Sequence, residues 1–224
     1  MDSPLKKYKQ LQNIDGIREI AYDTLFTKYI ERNLKGDAKK KEIDSTDQES
    51  LMLRVNGGFP LPGFIYTFIY PPKLNDQIMI NEEKKYYDFV PIVFCTSIKA
   101  KNFSGINLNT LPNIERVKFL QVYWDSYKSF FKDIEKETEN NKLALNMKFI
   151  NLMSGVNAPD ILGEMGKAVN ANFMYGFRNY NIQRIKQLRM VEYVEWDYIP
   201  HYDPKNAFKM MNQKQIHELY WRTK

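Results

Sequence analysis

The sequence contains very few of the residues that build metal sites and disulfides. Its 224 residues include a single cysteine, Cys95, and two histidines, His201 and His217. One cysteine excludes an internal disulfide and a cysteine-rich zinc site. The histidines show no HExxH or comparable spacing, so we expect no metal site. Because Cys95 lies inside a predicted strand, we interpret it as a small buried apolar residue.

Motifs for phosphate loops and activated nucleophiles are also missing. The sequence has no GxGxxG, GxxxxGK[ST] or GxSxG pattern, and these patterns are typical of nucleotide-binding and serine-hydrolase sites. Paired carboxylates leave no local signature, so the missing motifs do not by themselves exclude an enzyme. We nevertheless predict a protein that is not an enzyme and that binds no cofactor.

Long apolar runs are absent as well. No stretch approaches the roughly 20 apolar residues that a membrane helix needs. The first ten residues, MDSPLKKYKQ, contain no apolar signal region. We therefore expect a soluble protein, made and kept in a reducing cytoplasm, with no membrane partner.

The composition is that of a globular chain with a mild positive charge. Hydrophobic residues make up 43% of the sequence and aromatic residues 14%, which is enough for a sizeable core. The formal net charge is +6. Such an excess favours an anionic neighbour without requiring one.

The most regular pattern lies between residues 62 and 112. Residues 63–70 alternate aromatic and β-branched side chains with a period of two, which predicts a strand that ends at Pro71. Residues 90–97 and 103–108 predict two further strands, joined by a polar and basic hairpin tip.

Two residues near these strands have predicted structural roles. Asp88 is suited to capping a turn before the second strand. Gly105 interrupts the third strand pattern and indicates a bulge or a tight bend. Further along, residues 190–199 alternate again and predict a closing strand, with Trp196 on its inner face.

Helical spacing follows the strands. Residues 113–140 predict a long helix, because Asn113 is a suitable N-cap and apolar residues recur at steps of three and four. Trp124 lies in the middle of this apolar stripe, so we expect it to be buried where the helix meets the strands. Residues 206–221 predict a terminal helix.

These elements predict an α+β fold in three parts. Residues 1–36 form an N-terminal helical arm, residues 37–61 a flexible linker, and residues 62–224 a core domain. Since three strands cannot make a sheet with two covered faces, we predict a small SH3-like β-barrel or half-barrel packed with several helices. The polar linker separates the arm, so we expect the arm to dock on a neighbouring subunit or on another protein.

A basic segment is the one candidate for contacts with nucleic acid. Residues 177–189 predict a helix that carries Arg178, Arg184, Lys186 and Arg189 among aromatic residues. Such a face can follow a phosphate backbone. The alternative, which we favour, is a solvated face whose arginines pair with acids of a neighbour.

Several segments resemble a family of small proteins of tailed bacteriophages, notably T4-like phages. They are residues 64–70, residues 86–94 (YYDFVPIVF) and residues 103–112 (FSGINLNTLP), followed by the long helix. Residues 180–189 and the WDYIP run at 196–200 are similar to the end of the family's sequences. The resemblance covers roughly residues 63–221.

The resemblance implies a structural role in the virion. It implies a neck, tail or baseplate protein, made in the host cytoplasm, that contacts other virion proteins in a symmetric multimeric assembly. The alternative is a phage DNA-binding protein that caps or handles the end of the packaged genome.

Overall fold

The computed structural model describes residues 2–27, 60–70, 90–99, 101–136, 163, 176–191 and 193–203. Most of the predicted linker, Asp88 and the predicted terminal helix at 206–221 lie outside these residues. The division into an arm, a linker and a core domain therefore stays a prediction.

Two short helices open the chain. Helix α1 (Pro4–Leu11) begins after Ser3, whose hydroxyl accepts a hydrogen bond from the backbone N–H of Lys6 at 3.4 Å. Gly16, with a φ of 75°, makes the left-handed turn into α2 (Ile17–Tyr22). A π-helical turn, Asp23–Thr27, continues α2.

Five strands form one antiparallel sheet, in which the spatial order of the strands differs from their order in the sequence. They are β1 (Ile65–Ile69), β2 (Ile92–Lys99), β3 (Asn102–Asn107), β4 (Phe177–Asn181) and β5 (Lys186–Met190). Their order in the sheet is β4-β3-β2-β1-β5. The sheet is open, with β4 and β5 at its edges. The first three predicted strands and the α+β class are thus confirmed.

The sheet is strongly curled. The backbone N–H of Asn181, at the end of β4, donates to the hydroxyl of Tyr70, just after β1, at 3.3 Å. In a flat sheet with the observed register, three strand spacings and about ten residues of strand length would separate them, which is roughly 35 Å. A tyrosine side chain spans only a small part of that distance, so β2 and β3 must bend across the sheet.

A bulge and a glycine accompany this bend. The pairing of β2 with β3 shifts register between Cys95 and Ser97, opposite Gly105. A Cβ atom at Gly105 would lie 2.4 Å from the carbonyl oxygen of Phe94. Only glycine allows the two backbones to approach this closely. The bulge or bend predicted at Gly105 is therefore present, with its extra residue, Thr96, on the facing strand.

The long helix packs on the sheet through the apolar stripe predicted for it, in which Val117, Leu120 and Tyr123 are fully buried. Helix α3 (Asn113–Lys136) begins at the predicted residue. Phe119 and Tyr123 are fully buried and contact Phe94 edge-on. Trp124 is only partly buried against this cluster. The expectation of a buried Trp124 is therefore met only in part, and its neighbour Tyr123 is the aromatic residue that the contact buries fully.

The N-terminal helices belong to the same core. Ala21, Leu25 and Phe26 lie in one apolar cluster with the sheet. The backbone N–H of Leu5 donates to the side-chain oxygen of Gln121 on α3 at 3.1 Å. The expectation that this segment docks elsewhere instead of completing the local core is therefore wrong for residues 2–27, because its apolar face is already covered within the chain.

The C-terminal part differs most from expectation. Residues 177–189 form no helix but comprise β4, a 3-10 turn (Ile182–Arg184) and the start of β5. The last strand of the sheet is β5, an edge strand that pairs with β1. Most of the residues predicted as that strand, 190–199, belong instead to a 3-10 segment, Tyr193–His201. Trp196 is buried there and contacts Tyr123 edge-on, with ring centroids 4.7 Å apart.

Candidate interaction surface

The four basic residues predicted to share a helix face are separated by the fold. Arg178 is exposed on the edge strand β4, and its Nη1 donates to the carbonyl oxygen of Phe177. Arg184 closes the 3-10 turn, and Lys186 begins β5. Arg189 is buried near the other end of β5. A single basic helix face does not exist.

Arg189 forms a structural ion pair with Glu195. Its Nη1 donates to both carboxylate oxygens of Glu195, at 2.9 and 2.7 Å. The pair holds the 3-10 segment Tyr193–His201 against β5. Pairing with an acid is the role we favoured for this arginine, but the acid belongs to the same chain.

The 3-10 turn brings the backbone of a basic segment against the basic tip of the β2–β3 hairpin. The backbone N–H of Ile182 donates to the carbonyl oxygen of Lys101 at 2.8 Å, so the β2–β3 hairpin tip touches the turn. Lys99 faces Asn102 across the hairpin, and Asn102 in turn faces Asn181, the last residue of β4. We call the resulting group of four residues the basic corner. Its members are Lys99, Lys101, Arg184 and Lys186.

A cluster of aromatic rings packs against Arg184 of the basic corner. The guanidinium carbon of Arg184 lies 4.8 Å from the centre of the Tyr70 ring. The Tyr70 ring contacts Tyr180 edge-on at 5.2 Å, and Tyr180 stacks on Phe103 at 5.1 Å. Tyr180 and Phe103 are buried. The rings thus hold the turn in place and leave few ring faces open to a ligand.

Charge is distributed unevenly along the chain. Residues 60–70, 90–110 and 176–191 contain all five strands and include six lysines and arginines but no aspartate or glutamate. Among these six, the basic corner supplies four. The sheet therefore carries as much positive charge as the whole chain has in net excess.

Arg116 is a buried cation with a structural task. Its Nε donates to the carbonyl oxygen of Leu111 at 2.9 Å, and its Nη2 to that of Asn109 at 3.1 Å. Its Nη1 donates to the carbonyl oxygens of Ile199, at 3.1 Å, and of Tyr202. One side chain thereby joins the start of α3 to the 3-10 segment Tyr193–His201.

His201 is the last residue of that segment and contacts the N-terminal helix α1. Its ring stacks on Tyr8 of α1 at 5.0 Å. Burial, together with the positive charge of Arg18, lowers the pKa of His201 below its usual value. Within the described ranges, no group of three histidine, cysteine, aspartate or glutamate residues could hold a metal ion. His217 lies outside those ranges.

Two further groups in the core have raised pKa values because they are buried. Burial raises the pKa of the Cys95 thiol to about 12 and also raises the pKa of Tyr66. The Tyr66 hydroxyl accepts a hydrogen bond from the backbone N–H of Leu61 at 2.9 Å. Both groups stay protonated at neutral pH, so neither is an activated nucleophile.

The basic corner was not predicted, although the sequence contains a signal for its turn. Asn107 and Asn181 each end a strand, and each side-chain oxygen accepts a hydrogen bond from the backbone N–H two residues later. Both are followed by one 3-10 turn. An asparagine after a strand pattern is therefore the cue for this turn.

Comparison of the chain with protein-family models, with curated proteins and with solved structures gave no match. In the part of the chain that the structure describes, no helix is both long enough and apolar enough to cross a bilayer.

Proposed function

We propose that this chain is a structural component of a tailed-bacteriophage virion, in the neck, tail or baseplate, and that it acts through protein–protein contacts. The observation that carries the proposal is an N-terminal segment with both buried and exposed apolar side chains. Its inner face, with Ile17, Ala21 and Leu25, is buried in the core. We call its exposed apolar residues the outer face; they are Leu5 and Ile20 on the helices and Ile14 in the turn between them.

The outer face is suited to a protein partner. Leu5, Ile14 and Ile20 are 39%, 45% and 42% exposed. Exposed apolar side chains grouped on one segment are typical of contact surfaces between proteins. The inner face fixes α2 to the core, and the backbone N–H of Leu5 joins α1 to Gln121 of α3. The exposed residues are therefore presented on anchored helices, and a partner would bind them with little cost in conformational entropy.

We propose further that the curled sheet is a small SH3-like barrel. The edge strands β4 and β5 are consecutive in the chain and are joined by only four residues, 182–185. A flat five-stranded sheet would hold its edges roughly 19 Å apart. A 3-10 turn rises only about 2 Å per residue. Because the link between β4 and β5 is this short, it favours a sheet whose two edges approach each other.

The virion proposal is tested by the composition of virus particles. Particles purified from the host in which the chain is naturally made should contain it at a fixed ratio to the major structural proteins, as measured by quantitative mass spectrometry. Its absence from washed particles would refute the proposal.

The outer face is tested by the variant Leu5→Gln/Ile14→Gln/Ile20→Gln. We expect this variant to fold, because none of the three side chains is buried, and to be missing from particles. A matched control changes exposed polar residues of the same segment and should be incorporated normally. The control variant is Lys9→Gln/Asn13→Gln/Glu19→Gln.

A further inference from the structure

We propose that the basic corner (Lys99, Lys101, Arg184 and Lys186) binds the phosphate backbone of double-stranded DNA. This surface differs from the outer apolar face of the N-terminal segment. The proposal does not depend on the virion assignment, because the isolated chain can be tested for DNA binding directly.

The basic corner carries a concentrated positive charge. Lys99 and Lys101 are exposed at the hairpin tip, and the strand-containing residues around them include no acid. Arg184 and Lys186 follow within five residues of Asn181, which pairs with Asn102 at the base of that tip. Four cations on adjoining backbone segments make a local positive field that attracts a polyanion.

Among the described residues, polar amide side chains and no large exposed apolar residues lie between the cations of the corner. Asn102 and Gln183 are exposed in the basic corner, and amide side chains commonly join lysine and arginine in contacts to phosphate oxygens. By contrast, the exposed large hydrophobic residues of the described chain lie elsewhere, on α1, α2, the turn between them, the start of α3 and the far end of β4. A protein partner would need such anchors, so the composition of the corner favours nucleic acid.

The aromatic rings beside the corner favour double-stranded over single-stranded DNA as the ligand. Proteins that bind single strands stack bases on exposed aromatic rings. Here Phe103 and Tyr180 are buried, and the Arg184 guanidinium lies over the Tyr70 ring. Contacts to phosphates remain available while base stacking does not, and this combination fits a duplex.

The geometry also fixes the corner in place. Lys101 and the 3-10 turn are joined by a backbone hydrogen bond of 2.8 Å, and the Asn181 side chain caps the turn. Lys101 and Arg184 therefore belong to a rigid backbone frame, so binding orders only their side chains.

The test measures the affinity of the full chain for a fluorescein-labelled DNA duplex by fluorescence anisotropy over a range of salt concentrations. Each phosphate contact contributes about −0.9 to the slope of log K against log salt, so four contacts give a slope of about −3.6. In the variant Lys99→Glu/Lys101→Glu we expect a loss of at least about tenfold in affinity and a slope reduced by about two units.

A matched variant controls for net charge. Lys9→Glu/Lys118→Glu changes two exposed lysines on α1 and α3 and lowers the net charge equally. It should alter the affinity by less than about twofold. Thermal unfolding checks that both variants fold, and if Lys99→Glu/Lys101→Glu does not, the neutral variant Lys99→Gln/Lys101→Gln replaces it with a smaller expected loss.

Four results would overturn the proposal. The first is no binding by the wild type even at about 50 mM salt. The second is an equal loss in the corner and control variants, which would mean general charge attraction. The third is tighter binding of a single strand than of the duplex. The fourth is tighter binding of a polyglutamate peptide than of DNA, which would assign the corner to an acidic protein.

Discussion

The guanidinium of Arg116 donates from Nη1 to the carbonyl oxygen of Ile199 at 3.1 Å, and this contact ties α3 to a segment 83 residues further along the chain. Asn109 and Leu111 also present carbonyl oxygens to the same guanidinium. A backbone carbonyl that is buried without a donor costs free energy. Arg116 is thus a centre around which separate segments are arranged.

Replacing Arg116 with Met should therefore destabilise the fold strongly. The variant keeps the length of the side chain but removes every donor, so we expect the free energy of unfolding to fall by about 3–5 kcal/mol in urea denaturation. Arg116→Lys should recover only part of this loss, because one ammonium cannot reach carbonyls on two elements. A loss below about 1 kcal/mol in Arg116→Met would contradict the structural role.

Tyr123 and Trp124 should differ in their effects on stability. Tyr123 is fully buried, and its hydroxyl donates to the carbonyl oxygen of Gly63 at 2.6 Å. We expect Tyr123→Ala to cost about 3–5 kcal/mol and Tyr123→Phe about 1 kcal/mol. Trp124→Ala should cost less than about 2 kcal/mol, because the side chain is only partly buried. A larger loss in Trp124→Ala than in Tyr123→Ala would show that the helix faces are reversed.

Gly105 should not tolerate a side chain. A Cβ there would lie 2.5 Å from Cγ1 of Val93 as well as against the backbone of Phe94. We expect Gly105→Ala to lower the free energy of unfolding by about 2–3 kcal/mol. The control is Gly163→Ala, where a Cβ meets no atom within 4 Å and where alanine should be neutral or should stabilise the protein by up to about 1 kcal/mol. Equal effects at both positions would contradict the close approach of β2 and β3.

Deleting residues 1–27 should unfold the protein. The deletion removes Leu25 and Phe26 from the core, and each large apolar side chain contributes about 1.5–3 kcal/mol. Together with the uncovered surface, that loss is comparable with a typical total stability of about 5–15 kcal/mol. Circular dichroism and gel filtration measure the outcome, and a truncated chain that unfolds cooperatively as a monomer would show that the helices are dispensable.

Stability should decrease in mild acid because of His201. Its folded-state pKa is lowered by burial, so the unfolded chain takes up the proton first, near pH 6.5. The free energy of unfolding should therefore fall as the pH drops below about 6.5, until the folded-state pKa has been passed.

The variant His201→Phe isolates this effect. It keeps a ring against Tyr8 but cannot be protonated, so the fall in stability between about pH 6.5 and pH 5 should be smaller than in the wild type. Denaturant titrations at each pH give the comparison, with His217→Gln as the control for the other histidine. Parallel pH profiles for wild type and His201→Phe would rule out the effect.

Local patterns predicted the first half of the sheet well. Period-two alternation in β1 and β2, the proline after β1 and the short basic tip before β3 are local signals, and each element formed where it was expected. Asn113 likewise marked the start of α3. Such signals work when the residues that decide a structure are neighbours in the chain.

The helix predicted for residues 177–189 did not form, for a physical reason. Ile182, Ile185 and Leu188 are three residues apart, which imitates a helix. Here the spacing arises because a 3-10 turn precedes a strand. The partners that decide the outcome, β3 for β4 and β1 for β5, lie far away in the sequence. Pairing with them outweighs local propensity, and a local pattern cannot reveal that.

The basic corner could not be predicted from the sequence for the same reason. Lys99 and Lys101 belong to one predicted hairpin and Arg184 to a later segment, and no spacing rule relates them. They meet because Asn102 pairs with Asn181. A charge count over the strands would have shown the excess of lysine and arginine, but not its location.

The late arrival of β5 has a consequence for synthesis of the chain on the ribosome. All five residues of β1 are buried in the finished protein. Tyr66 pairs with Val93 on one side, but its partner on the other side is Met190, much later in the chain. At roughly 5–20 residues per second, translation of the intervening chain takes roughly 6–25 s. For that time β1 presents an unpaired, apolar edge, which is the kind of edge that pairs with other chains. We therefore expect the yield of folded protein to depend on chaperones that cover strand edges more than its final stability does.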